Sequence, residues 1–295
     1  MITERQVYLP KWSTAGTLKA SSSSKWQVKP LDFITTHPVF RVEEFLAAYQ
    51  RGTTRSRETA ASALKRHTAS GRLIHVRRGL YAQVPVGADP ATFHVDPFLL
   101  ASRAAPDAVI AYHAALEMHG KAHSVSSRIT YLARRRARPF EFQGTTFVAV
   151  QDPSAIRIRR DRGGGIREDV RQGLAVRVTT HERTLVDVLD APDLGGGWEE
   201  IWRSLESIEF FDLDAVIAYA LRLGSALTIA RVGYYLEQHR APLFVEDRHL
   251  ARLRARAPAQ PSYFERQRRR GGRLVPQWNL IVPDEIRERS WEEVA

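Results

Sequence analysis

A polar helix, a glycine turn and a basic hairpin succeed one another between residues 53 and 84. Four short β-rich segments follow between residues 129 and 178, and helical periodicity dominates from about residue 180. These three observations predict an α+β fold, with an N-terminal winged helix-turn-helix and then a larger α+β domain in which a mostly antiparallel sheet is followed by helices. The chain then divides into a basic arm at 1–27, a winged unit at 28–88 and an α+β unit at 89–295, and 295 residues suffice for two such units.

The arm, with four serines at 21–24 and Lys11, Lys19 and Lys25, has little periodicity. It reads either as a flexible segment or, given Tyr8, Trp12 and Trp26, as one that packs back on a domain or inserts beside DNA. Val39, Val42, Phe45, Leu46 and Tyr49 recur at spacings of three and four, which predicts a short helix that ends at Gly52. Thr53 and Thr54 supply hydroxyls to cap the next helix, expected over 55–69 and stopped by Gly71.

On a helical wheel of about 100° per residue, Leu64 shares its inner face with Ala60, Ala61, His67 and Thr68. The opposite face carries Arg55, Glu58, Thr59, Ser62 and Arg66, with Lys65 at its edge. Arg57 falls on the inner side but in the first turn, where its long stem lets the guanidinium reach outward. Small residues inside and long polar ones outside suit a helix that reads base edges in a major groove.

Leu73-Ile74-His75-Val76, Arg77-Arg78-Gly79 and Leu80-Tyr81-Ala82-Gln83-Val84 then predict two strands joined by a basic turn, the candidate wing. Residues 28–85 hold ten Lys or Arg against four acids, an excess suited to a polyphosphate. The Pro- and Gly-bearing segment 85–97 marks the boundary. Beyond it come two short helices within 98–119, strands at 129–133, 140–142, 145–150 and 174–178, and helices near 180–190, 198–207, 212–223, 226–239 and 246–256.

The net charge of +11 rests on 38 arginines and only six lysines, a bias that suits phosphate and guanine recognition. It is segregated. Residues 134–171 carry ten arginines and five acids; 182–214 carry ten acids and two arginines; 248–273 carry nine arginines and Glu265. The acidic block fits a basic protein partner, intramolecular pairing, or merely solvated helix faces. The absence of cysteine excludes disulfides and thiolate chemistry, and no apolar run reaches spanning or signal-peptide length, so a soluble cytoplasmic protein without a membrane partner is expected.

Catalytic constellations are not apparent. His113, His119 and His123 lack a carboxylate in a facial position and are broken by Gly120, and the Gly163–165 and Gly195–197 triplets lack a phosphate-loop context. His181 and Glu182 precede a helix that Thr179 or Thr180 caps and that Leu185, Val186 and Leu189 bury. No enzyme activity, metal or cofactor is therefore expected. The alternative is a nuclease delivered to its substrate by the winged helix, which needs a converging acid pair; Glu141 and Asp152 are the acids near the strands.

The helix at 55–69, the run Gly71-Arg72-Leu73-Ile74-His75-Val76-Arg77-Arg78-Gly79-Leu80-Tyr81, the segment Tyr112-His113-Ala114-Ala115-Leu116 and the segment Thr180-His181-Glu182-Arg183-Thr184-Leu185-Val186-Asp187 resemble the AbiEi family of antitoxins, in its mycobacterial form. The resemblance covers most of residues 30–190 and leaves the arm and the 248–273 segment unmatched. It implies a winged helix that represses its own operon at repeated operator elements and a second domain that neutralises a nucleotidyltransferase-like toxin. The expected DNA-binding set is Arg55, Ser56, Arg57, Thr59, Ser62, Lys65, Arg66, Arg72, Arg77 and Arg78. Among these, Arg55, Ser62, Lys65 and Arg66 read the groove and Arg77 and Arg78 hold the backbone or minor groove. One winged helix offers a small interface, so self-association on paired half-sites is expected as well.

Overall fold

The computed structural model describes residues 30–50, 56–157, 164–265, 271–289 and 291. The arm at 1–27, Gly52, Thr53, Thr54, Arg55 and the arginine run at 266–270 lie outside the described residues. The fold is mixed α+β, as expected. Its N-terminal unit runs α1 (Pro30–Thr36), β1 (Val39–Arg41), α2 (Val42–Gln50), α3 (Arg57–Ala69), β2 (Leu73–Arg77) and β3 (Leu80–Gln83), with an antiparallel sheet in the order β1-β3-β2, a topology compatible with a winged helix.

Three local expectations are corrected here. Val39 belongs to a strand, not to the first helix, because it pairs with Ala82 while Arg41 pairs with Leu80; an apolar triplet satisfied both periodicities. An additional helix, α1, opens on Pro30 with Asp32 in its first turn. The cap of α3 is Ser56 rather than Thr53 or Thr54: its backbone is extended and its hydroxyl accepts from the Thr59 amide at 3.2 Å.

One face of this sheet meets its helices, where Phe33 stands edge-on to Phe40 and Phe45 at 5.2 and 5.6 Å, and Ala60, Ala63, Leu64 and Leu73 close the core. Next come α4 (Pro97–Arg103), β4 (Val109–Ile110), α5 (His113–Met118), β5 (Arg128–Leu132), β6 (Phe140–Phe142), β7 (Thr145–Val150), α6 (Ser154–Arg157), β8 (Ile166–Arg171) and β9 (Leu174–Thr179). The other face of the winged sheet, through Val39, Leu80 and Ala82, joins Leu99 and Leu100 of α4 and Ile110 of β4 in one apolar cluster. That burial ties the hairpin to the rest of the chain.

The six-stranded sheet has the order β6-β7-β5-β4-β9-β8. Three of its five strand pairings are antiparallel, as expected, and two are parallel, so the sheet is mixed. The turn at Gln143-Gly144, with φ of 47° and 77°, folds β7 back inside β6, so β7 lies parallel to β5. β4 and β9 are likewise parallel. Sequence periodicity missed β8, an edge strand whose Arg167, Glu168, Asp169 and Arg171 break the apolar pattern and discourage pairing with another chain.

The helical part comprises α7 (His181–Asp190), α8 (Trp198–Glu206), α9 (Leu213–Leu223), α10 (Ala226–Gln238) and α11 (Asp247–Arg254), close to the expected bounds. Thr180 caps α7, and Leu185, Val186 and Leu189 are fully buried. A small sheet of β10 (Ser262–Tyr263), β11 (Arg273–Val275) and β12 (Leu280–Val282), followed by α12 (Asp284–Glu288), was not anticipated. The six-membered ring of its Trp278 meets the backbone of α10 at Gly233 so closely that a Cβ there would overlap it.

Candidate nucleic-acid interface

The inner face of α3 is made by Ala60, Ala63, Leu64 and His67, all buried, whereas Ala61 is exposed. Against the sequence reading the helix is therefore rolled by roughly 50° about its axis. The roll has a consequence for the outer face. Lys65, expected at its edge, moves toward the middle, flanked by Glu58, Ala61, Ser62 and Arg66, all exposed.

Arg57 is exposed, as its position in the first turn allows. Ser56 and Thr59 are exposed too, but their hydroxyls lie 3.2 Å apart and Ser56 is occupied with capping. Glu58 is the one acid on this face among the described residues, and its carboxyl is held below the ordinary range first by its hydrogen bond with Ser56. Beneath the face, burial lowers the pKa of His67, and Arg66 and Arg72 lower it further, so the imidazole is held neutral against the core.

After α3, Gly71 turns the chain at φ 73° and Arg72 is exposed at the start of β2. The hairpin turn is Arg78-Gly79; Gly79 adopts φ 79°, and its carbonyl accepts from the Val42 amide at 2.9 Å. Arg78 is exposed. Arg77 is not: its Nη2 donates to the Ala104 carbonyl at 2.6 Å and its guanidinium lies over the Phe140 ring, 4.1 Å from the centroid. The two arginines of the expected wing tip thus point to different surroundings, and Arg77 serves the junction with the second unit. Among the described residues, the side chains of Arg57, Lys65, Arg66, Arg72 and Arg78 form no ion pair or hydrogen bond. Arg55 lies outside the described residues.

The junction has further ties. Glu44 at the start of α2 accepts from the Arg41 amide at 2.7 Å and pairs with Arg103 at 3.6 Å, beside a cleft of about 210 Å³. Sequence reasoning named neither Arg41 nor Arg103, because nothing in local spacing joins residues so far apart. It also passed over Arg135, Arg136 and Arg138 individually, although the Arg-Arg-Arg-Ala-Arg-Pro run between β5 and β6 was itself a signal.

Two acids near the sheet and α7 share one buried arginine. Asp152 is 1% exposed and receives Arg183 at 3.2 Å; Asp187, also 1% exposed, receives Arg183 at 3.1 Å and the Tyr219 hydroxyl at 2.7 Å. Burial raises the Asp187 carboxyl above its ordinary range, opposed by Arg183, and keeps the Tyr219 hydroxyl protonated as a donor. Glu141 lies exposed on edge strand β6. His113 sits between Glu117 and Glu200 at 3.3 and 3.1 Å, and Glu200 also accepts from Ser124 and Ser204. Among the described residues no group of three or more His, Cys, Asp and Glu is placed to hold a metal ion.

Among the described residues, four of the ten acids in the acidic block pair with arginines. Asp187 pairs with Arg183, Glu199 with Arg203, Glu206 with His239 and Arg289, and Asp214 with Arg252 of the basic segment. Asp193, before α8, and Glu209, after it, are exposed acids of that block with no such pair among the described residues, and Phe210 next to Glu209 is 74% exposed. No helix among the described residues is long and apolar enough to cross a membrane.

No family model matches the chain and no curated protein matches it. Among solved structures it is similar to the crystal structure of RV2827C protein from Mycobacterium tuberculosis, at 19% identity and a TM-score of 0.49 over 83% of this chain and 86% of that one.

Proposed function

We propose that this protein is a sequence-specific, double-stranded-DNA-binding repressor that regulates its own operon. The observation that carries the reading is the outer face of α3. Lys65 and Arg66 stand there exposed and, among the described residues, without an ion pair or hydrogen bond, beside Ser62, while alanines and His67 hold the helix close to its scaffold. Side chains of this length on a helix so supported reach base edges in a major groove, and Arg57, Arg72 and Arg78 flank them as phosphate contacts. Arg77 leaves the DNA-binding set because its guanidinium is occupied inside the molecule.

The finer reading rests on the sequence resemblance: an antitoxin of a type IV pair, working in the cytoplasm and without catalysis, whose second unit neutralises a nucleotidyltransferase-like toxin. Because Asp187, Glu199, Glu206 and Asp214 already serve internal arginines, the toxin contact is assigned to the exposed Glu209-Phe210 segment that follows α8. A single α3 gives a small interface, so two copies on paired half-sites complete the proposal. The test is an electrophoretic titration against the DNA upstream of the protein's own gene. Binding at least a hundredfold tighter than to random duplex supports the reading, and equal binding to both refutes it.

A further inference from the structure

We infer that the DNA-facing surface continues from the winged helix onto the loop between β5 and β6, where Arg135 and Arg138 contact phosphates of the same duplex that α3 reads. The inference rests on the DNA-binding reading and extends it to a part of the chain outside the winged unit.

Three connections bring the loop to the wing. Arg77, one residue before the exposed Arg78, touches both the Ala104 carbonyl and the Phe140 ring. Phe140 opens β6 two residues after Arg138, a chain distance of roughly 7 Å. On the Ala104 side, Asp107 accepts from the Arg134 amide at 2.9 Å, so the segments holding Ala104 and Arg134 run side by side. The wing tip and the arginine loop are therefore rooted on one contact.

The loop is also held in place. Gln151 donates to the Arg134 carbonyl at 2.9 Å and accepts from Arg136 at 3.1 Å, and Pro139 stiffens the entry to β6. Arg134 and Arg136 thus serve the loop's own geometry. Arg135 and Arg138 are exposed and make no ion pair or hydrogen bond among the described residues.

Four arginines within five positions repel one another, and the nearby Asp107 is already engaged. An ordered cluster of this kind lacks only its counter-charge. Duplex DNA, with one charge per roughly 1.7 Å of axis, presents a row of phosphates long enough to meet Arg78, Arg135 and Arg138 together. A single small anion does not. Since the loop is already ordered, little conformational freedom is lost when it binds.

The test uses the full chain and measures affinity for upstream and random duplexes over a range of salt. The double variant R135A/R138A should weaken binding to both duplexes by the same factor and reduce the salt slope by roughly 2, the loss of two phosphate contacts. R135K/R138K should restore most of the slope. The parallel variant K65A/R66A should instead lose discrimination between the duplexes. If R135A/R138A, or R135Q/R138Q should the alanine form fold poorly, keeps the parent slope while K65A/R66A loses discrimination, the extended surface is wrong and the DNA-binding reading stands. If the parent protein shows no salt-dependent duplex binding, both fall.

Discussion

The guanidinium of Arg77 lies over the ring of Phe140, 4.1 Å from its centroid, and so joins the winged hairpin to the first strand of the neighbouring hairpin in the large sheet. Together with the hydrogen bond to Ala104 it makes the wing tip a fixed point of the molecule. Replacing Arg77 by Met keeps much of the stem but removes charge and donors. We expect a loss of about 1–3 kcal/mol from the hydrogen bond and the cation–π contact. Denaturant unfolding checks the magnitude, and an unchanged salt slope for DNA binding checks that Arg77 is a junction residue.

The Asp152–Arg183–Asp187 network, with Tyr219 donating into it, is buried almost completely. Removing one partner strands the remaining charge in a low dielectric. Arg183→Met, which takes the shared cation away from both Asp152 and Asp187, should therefore destabilise the protein by about 3–5 kcal/mol. A melting temperature within two or three degrees of the parent, by circular dichroism, contradicts this account of the Thr-His-Glu-Arg-Thr segment.

Burial pushes the pKa of His119 down to about 4, while its Nε2–H donates to the Thr179 carbonyl at 2.7 Å and the ring meets that of His181 edge-on at 4.5 Å. The unfolded chain, with an ordinary imidazole near 6.5, binds this proton more readily than the folded one. The contribution of His119 to stability is thus fully present above about pH 6.5 and declines as pH falls toward 4. His113 works in the opposite sense, since Glu117 and Glu200 raise its pKa against burial. Unfolding free energies measured from pH 7 to pH 4.5 should fall less steeply in His119→Gln than in the parent; identical slopes contradict the assignment.

Gly233 faces the buried indole of Trp278, which donates to Glu237 at 2.7 Å and has no room to retreat. Alanine there improves helix propensity by about 1 kcal/mol yet collides with a packed ring. The collision should win. We expect Gly233→Ala to cost about 1–3 kcal/mol, read from chemical denaturation, with Trp278 fluorescence altered in the folded state.

Elements with long, regular periodicity were legible in the sequence: α3 within two residues, α7 with its cap and stripe, and α9, which Gly224 ends at φ 74°. Short elements were not. β1 has three residues that also fit a helical stripe, and β8 hides its pattern under four charges. The outer face of α3 was legible apart from its roll, since replacing Ala61 by Ala63 as the buried alanine changes no residue type. The fate of Arg77 was not legible. Two adjacent arginines at a turn look alike until the Ala104 carbonyl and the Phe140 ring, distant in sequence, take one of them.

Lys65 and Arg66 on α3 carry the central claim, so the most direct measurement is the affinity of K65A/R66A for the upstream DNA beside that for random duplex. A loss of about 1–3 kcal/mol per base contact on the upstream DNA, with a much smaller change on random duplex, is the predicted result. Unchanged preference for the upstream DNA would contradict the account.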